Sequence, residues 1–159
     1  MSYQLGSRSK DRLRGVDKRL VSVVELAITL TEQDFTVLEG LRSLDRQREL
    51  VKKGASRTMS SKHITGHAVD LGAWDQETRS IRWEEAMYYP IAEAMMLAAS
   101  RLETPICWGG AWASYGNEYP FDITQWQGTA QEAVENYVEL RYSQNRKPFF
   151  DGPHWELII

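Results

Sequence analysis

Three histidines occur in the 159 residues, and two of them fall within Ser61-Lys62-His63-Ile64-Thr65-Gly66-His67-Ala68-Val69-Asp70. The third lies in Asp151-Gly152-Pro153-His154-Trp155-Glu156. Each segment sets imidazole beside carboxylate and includes a glycine that lets the backbone turn tightly. Two imidazoles and one carboxylate form a borderline-hard donor set suited to Zn²⁺, and three protein ligands leave a fourth position for water, as hydrolysis requires. The spacing alone does not choose the ligands. His63 and His67 are four apart, as in a helical zinc motif, but Gly66 and the β-branched Ile64 and Thr65 weigh against a helix. Read as a loop entering a strand, the segment puts Ala68 and Asp70 on one strand face, to which the turn at Gly66 must bring His63. A His63–Asp70 pairing is permitted by this spacing, not required by it.

The elements that must position these groups follow from pattern. Leu13, Val16, Leu20, Val23, Val24, Ala27 and Leu30 recur at helical spacing, which predicts an amphipathic first helix over roughly 9–30 despite Gly15. Phe35 to Leu38 reads as a strand entering Glu39-Gly40-Leu41-Arg42, and Ser43 as the N-cap of a short helix ending near Gly54. Residues 55–66 are a polar loop, and His67–Leu71 a short strand. Trp83 to Leu102 is mostly helical, with Pro90 in its first turn or kinking it. Pro105–Trp108 is a strand closed by Gly109-Gly110, and residues 111–128 show no clear period. Thr129-Ala130-Gln131-Glu132 fits a capping box opening a helix to about Tyr142. The chain ends in a strand, Pro153–Ile158, with polar residues at alternate positions. Helices and short strands without regular βαβ alternation indicate an α+β fold.

Hydrophobic residues make up 42% and charged residues 26%, which excludes a disordered or fibrous chain. The length suits one domain, 1–159, that buries a core without disulfides. Cys107 is the only cysteine, so an internal disulfide and a thiolate-cluster metal site are excluded. A net charge of −3 supplies no global basic field, so nucleic acid is not an expected partner. Residues 1–60 carry 12 Lys and Arg against 8 Asp and Glu, a local excess read as a solvated face. No apolar run approaches the ~20 residues of a membrane span, and the segment from Met1 to Arg8 lacks the apolar stretch of a secretory signal. The expectation is a cytosolic, monomeric chain without stable membrane insertion.

Ser61-x-His63-x-x-Gly66-x-Ala68-x-Asp70, followed distantly by Asp151-x-x-His154, resembles the M15 family of zinc peptidases. That family includes D-alanyl-D-alanine carboxypeptidases and dipeptidases and the L-alanyl-D-glutamate endopeptidases of phage endolysins. Gly40-Leu41-Arg42-Ser43, Gln47 and Gly54-Ala55-Ser56 are similar to the arginine-bearing segment of the endolysin branch, and Trp108-Gly109-Gly110-x-Trp112 to its tryptophan-glycine stretch. The resemblance implies a small antiparallel sheet flanked by helices, as in hedgehog-like and DD-peptidase-like zinc folds. It implies one Zn²⁺ per chain, bound by His63, Asp70 and His154. Ala111 departs from it, standing where several relatives carry an acidic residue, and residues 113–147 form a longer stretch than in small phage relatives.

The resemblance also puts Asp151 in the family's catalytic carboxylate position, although Asp is favoured in such a turn anyway. Arg42 matches the family arginine, whose guanidinium would bind a developing oxyanion or a substrate carboxylate; the alternative is a plain ion pair. Glu156, two residues after His154 on a strand, shares its face and is a candidate to orient a ligand imidazole; the alternative is a plain surface pair. Ser61 and Trp112 are candidates for substrate binding, with Ser61 alternatively bracing the turn. His67 is a possible substrate contact, and Cys107 reads as inert packing. The implied function is a phage-type endolysin, made in the host cytoplasm, that hydrolyses the L-Ala–D-Glu bond of the peptidoglycan stem peptide. It would act in the periplasm once the membrane is permeabilised. The competing readings are a D-Ala–D-Ala carboxypeptidase and a non-catalytic zinc module that recognises wall, the latter disfavoured by Asp151.

Overall fold

A computed structural model describes residues 2–159; Met1, first residue of the segment read for a secretory leader, lies outside them. The N-terminal amphipathic stretch forms two helices instead of the one expected over 9–30: α1 (Ser7–Arg12) and α2 (Lys18–Leu30). The apolar period itself holds, since Leu13, Val16, Leu20, Val23, Val24 and Ala27 are all buried. Gly15 breaks the helix by adopting φ +83°, and the Asp17 side chain then caps α2 by accepting from the Arg19 N–H. The break ties down a distant loop. The Asp17 N–H donates to the Gly66 carbonyl at 2.8 Å, so the histidine-bearing loop is anchored where α2 begins.

Strand β1 (Phe35–Glu39) leads into α3 (Leu44–Lys52), capped by Ser43 and followed by Gly54 at φ +77°, both as expected. β2 runs over Ala68–Asp75, longer than the expected 67–71, because it forms a hairpin with β3 (Ser80–Arg82). Trp83 stays outside the next helix. A single 3₁₀ turn, Glu85–Met87, precedes α4 (Tyr88–Arg101), and Pro90 sits in its first turn, where no helical hydrogen bond is lost. β4 spans Ile106–Trp108. The capping box of Thr129 and Glu132 opens α5 (Ala130–Ser143), and β5 (His154–Leu157) completes the sheet.

The strands form one antiparallel sheet in the order β1-β2-β5-β4, with β3 hydrogen-bonded to β2. Strand alternation sorts their side chains. Val69, Leu71 and Ala73 of β2, Ile106 and Trp108 of β4, and Trp155 and Leu157 of β5 are buried in one core with residues of α2 and α4. Asp70, His154 and Glu156 therefore face the other way. The register sets Asp70 opposite His154, and Glu156 between Ala68 and Cys107. On the other flank, an irregularity between Val37 and Glu39 brings Glu39 opposite Asp70. The fold is α+β with a small antiparallel sheet and flanking helices, as the resemblance implies.

Candidate metal centre and its cleft

Three donor atoms from two strands and one loop converge. Asp70 Oδ1 lies 3.3 Å from His63 Nε2 and 3.1 Å from His154 Nδ1, and all three donors fall within 4.8 Å of one another. Metal–ligand bonds of about 2.0–2.1 Å in a tetrahedron put neighbouring donors roughly 3.3 Å apart. The two spacings to Asp70 match that. His67, the alternative at helical spacing, is engaged with Thr65 Oγ1 at 2.6 Å and turned towards Asp17.

The hydrogen bonds of each ring decide which nitrogen faces the gap. His63 is only 2% exposed, and its Nδ1 lies 2.8 Å from the Gly40 carbonyl. A carbonyl only accepts, so Nδ1 carries the proton and Nε2 presents a lone pair. That Nε2 is buried with no hydrogen-bond partner among the described residues, facing a carboxylate oxygen. Two electron-rich atoms so placed repel unless a proton or a metal cation lies between them. His154 is held the other way round: its Nε2 lies 2.9 Å from Glu156 Oε1, and its Nδ1 points at Asp70.

The electrostatics favour positive charge at this point. Burial opposes the charged form of His154, but its hydrogen bonds to Asp70 and Glu156 outweigh this and raise its pKa to about 9. Burial also works against the Asp70 carboxylate, yet the two imidazoles facing it hold it well below the usual range.

Asp151 arrives from the turn before β5, and the Trp-Gly-Gly stretch explains how. The Gly109 N–H donates to the His154 carbonyl and the Gly109 carbonyl accepts from the Asp151 N–H, each at 2.8 Å. A Cβ on Gly109 would collide with the Asp151 carbonyl, so this clasp needs glycine. Trp108 adds a 2.8 Å hydrogen bond from Nε1 to the Gly152 carbonyl and stacks on Trp155 with ring centres 5.4 Å apart. Asp151 lines the same cleft as the triad, and burial raises its carboxyl above the ordinary value, with the charge of His154 pulling the other way.

That cleft, about 840 Å³, is also lined by Glu39, Arg42, Arg57, Thr58, Trp112, Lys147, Phe149 and Glu156. Arg42 is heavily committed. Its Nε and Nη2 donate to the two Glu39 oxygens at 2.6 and 2.8 Å, and Nη1 to Gln47 Oε1 at 2.7 Å, with Ser61 Oγ at 3.4 Å. Ser61 Oγ also accepts from the His63 N–H at 3.2 Å, so it braces the turn. Trp112 lies over His154 at 5.3 Å between ring centres and donates from Nε1 to the Phe149 carbonyl. Cys107 is buried, with burial pushing its thiol up to about 12.

The sequence reading missed three contributors. Gly40 acts through a carbonyl that every residue possesses. Glu39 reaches Asp70 through a strand irregularity that leaves no pattern, although its opposite charge three residues before Arg42 was visible. Tyr119, whose hydroxyl donates to Glu156 Oε2 at 2.6 Å, belongs to the aperiodic stretch.

Residues 1–134 match the family described as phage L-alanyl-D-glutamate peptidase. The chain is similar to an L-alanyl-D-glutamate peptidase of Escherichia phage T5, 27% identical over 121 residues that cover 74% of this chain and 87% of that protein. It is also similar to the crystal structure of the Serratia marcescens L-Ala D-Glu endopeptidase ChiX, with 34% identity and a TM-score of 0.66 over 96% of this chain and 87% of that one. The family match stops short of Asp151 and His154, whereas the structural likeness runs over nearly the whole chain.

Proposed function

Because the chain belongs to the phage L-alanyl-D-glutamate peptidase family, we propose that residues 1–159 form a single catalytic domain, active as a monomer, that hydrolyses the L-Ala–D-Glu bond of peptidoglycan. One Zn²⁺ is held by His63, Asp70 and His154. The observation that carries the metal assignment is the buried Nε2 of His63, aimed at Asp70 and without a hydrogen-bond partner among the described residues. Bound there, zinc would supply Lewis-acid polarisation of the scissile carbonyl and a lowered pKa for water.

Asp151 takes the proton of the attacking water and returns it to the leaving amine of D-Glu. A carboxyl raised by burial suits a group that must both accept and give. Of the five N–H groups of Arg42, four point at Glu39, Gln47 and Ser61. Arg42 therefore offers substrate a single donor and a charge shared with Glu39, which suits one oxygen of an oxyanion or carboxylate better than a bidentate clamp. Trp112 supplies an apolar surface for the peptide, Ser61 steadies Arg42 and the His63 turn, and Glu156 orients His154. The enzyme acts on the wall in the periplasm once the membrane has been permeabilised. No helix among the described residues is long and apolar enough to cross a membrane.

Product analysis on purified sacculi tests this. Digestion should expose new N-terminal D-Glu, a chelator should stop it, and added Zn²⁺ should restore it. Free D-Ala as the main product would replace this reading with a D-Ala–D-Ala carboxypeptidase. Zinc uptake and wall binding without new amines would leave the non-catalytic module. Full activity after exhaustive demetallation would overturn the metal assignment.

A further inference from the structure

We propose that Tyr119 is a positioning residue of the metal centre, its hydroxyl locking Glu156 and, through Glu156, the imidazole of His154. The inference rests on the zinc reading above. Glu156 is 6% exposed, and each of its carboxylate oxygens has one hydrogen-bond partner: Oε1 has His154 Nε2 at 2.9 Å, and Oε2 has the Tyr119 hydroxyl at 2.6 Å. A carboxylate held at both oxygens cannot turn about its terminal torsion without losing a bond to a charged group. The His154 ring it grips is thereby kept with Nδ1 towards Asp70.

Tyr119 also reaches His154 by packing. Its ring lies 5.7 Å from that of Trp112, which in turn lies 5.3 Å from His154. The tyrosine ring is nearly half exposed, yet its hydroxyl ends on a buried carboxylate. Apolar packing alone gives no reason for that orientation. Burial and the facing Glu156 push the phenol pKa upward, so the group remains a donor.

Tyr119→Phe keeps the ring on Trp112 and removes only the lock. Residues that hydrogen-bond directly to a metal ligand are worth ~10- to 100-fold in metal affinity; one step further out, the expected weakening of zinc binding is about 3- to 10-fold. Chelator competition measures it. The second readout is the proton resonance of His154 Nε2–H in the zinc-loaded protein, which should shift as Glu156 is released. A double-mutant cycle with Glu156→Gln should be non-additive. Unchanged zinc affinity with an unchanged resonance would overturn the inference. So would a fall in kcat/KM at unchanged zinc affinity, which makes Tyr119 a substrate contact. A parent protein that takes up no zinc would sink the metal reading itself, whereas a zinc-binding parent that Tyr119→Phe matches in both affinity and resonance sinks only this step.

Discussion

The two imidazoles of the centre are held by opposite means. His63 sits on a loop and is fixed by main chain: the Gly40 carbonyl faces its Nδ1, and its own carbonyl accepts from the Arg42 N–H at 2.9 Å. Gly40 can stand there because it has no Cβ; one would collide with the Arg12 carbonyl and crowd Val16. His154 sits on β5, where register already places it opposite Asp70, and its outer nitrogen meets a charged side chain. The loop ligand needs position and receives it from neutral backbone groups. The strand ligand has position from the sheet and receives charge from Glu156, which raises its basicity.

The largest expected effects remove a donor outright. His63→Ala and His154→Ala should each lose stoichiometric zinc, read by metal analysis after dialysis, and peptidase activity with it. Either variant binding zinc as tightly as the parent would exclude that imidazole from the centre and end the comparison. Asp151→Asn should keep zinc and fold yet lose at least ~100-fold in turnover, the usual scale for a general base. Near-normal turnover would take Asp151 out of the chemistry and leave it a turn residue clasped by Gly109.

The strand side of this centre was far more legible in the sequence than the loop side. On β5, alternation alone sets His154 and Glu156 on one face and Trp155 on the other, and the structure obeys it. Local caps were equally readable, since Ser43 and Thr129 act within three residues of themselves. The loop was not. Nothing in the spacing of His63, Gly66 and Asp70 reveals that Gly40 supplies the opposing carbonyl or that Asp17 holds Gly66, because both contacts bridge 20 or more residues between segments with no shared period. The same limit hid the break at Gly15, where the apolar face continues on both sides of a left-handed residue. It also hid β3, whose turn uses Arg79 at φ +52° in place of an Asn-Gly or Asp-Gly pair.

The subtlest effects separate position from charge. Gly40→Ala forces the loop backbone away from the Arg12 carbonyl. It should lower stability by about 1–3 kcal/mol, as overpacking does, and weaken zinc binding along with it. Glu156→Gln keeps an acceptor for His154 Nε2–H and a partner for Tyr119 but removes the charge. Its expected signature is zinc affinity down by about 10-fold with the melting temperature of the metal-free protein nearly unchanged. Titrating both variants with zinc beside their thermal unfolding curves decides the matter. If Glu156→Gln binds zinc like the parent while Gly40→Ala does not, the carboxylate is only a second positional clamp. The two histidines would then be held in the same way by different chemical groups.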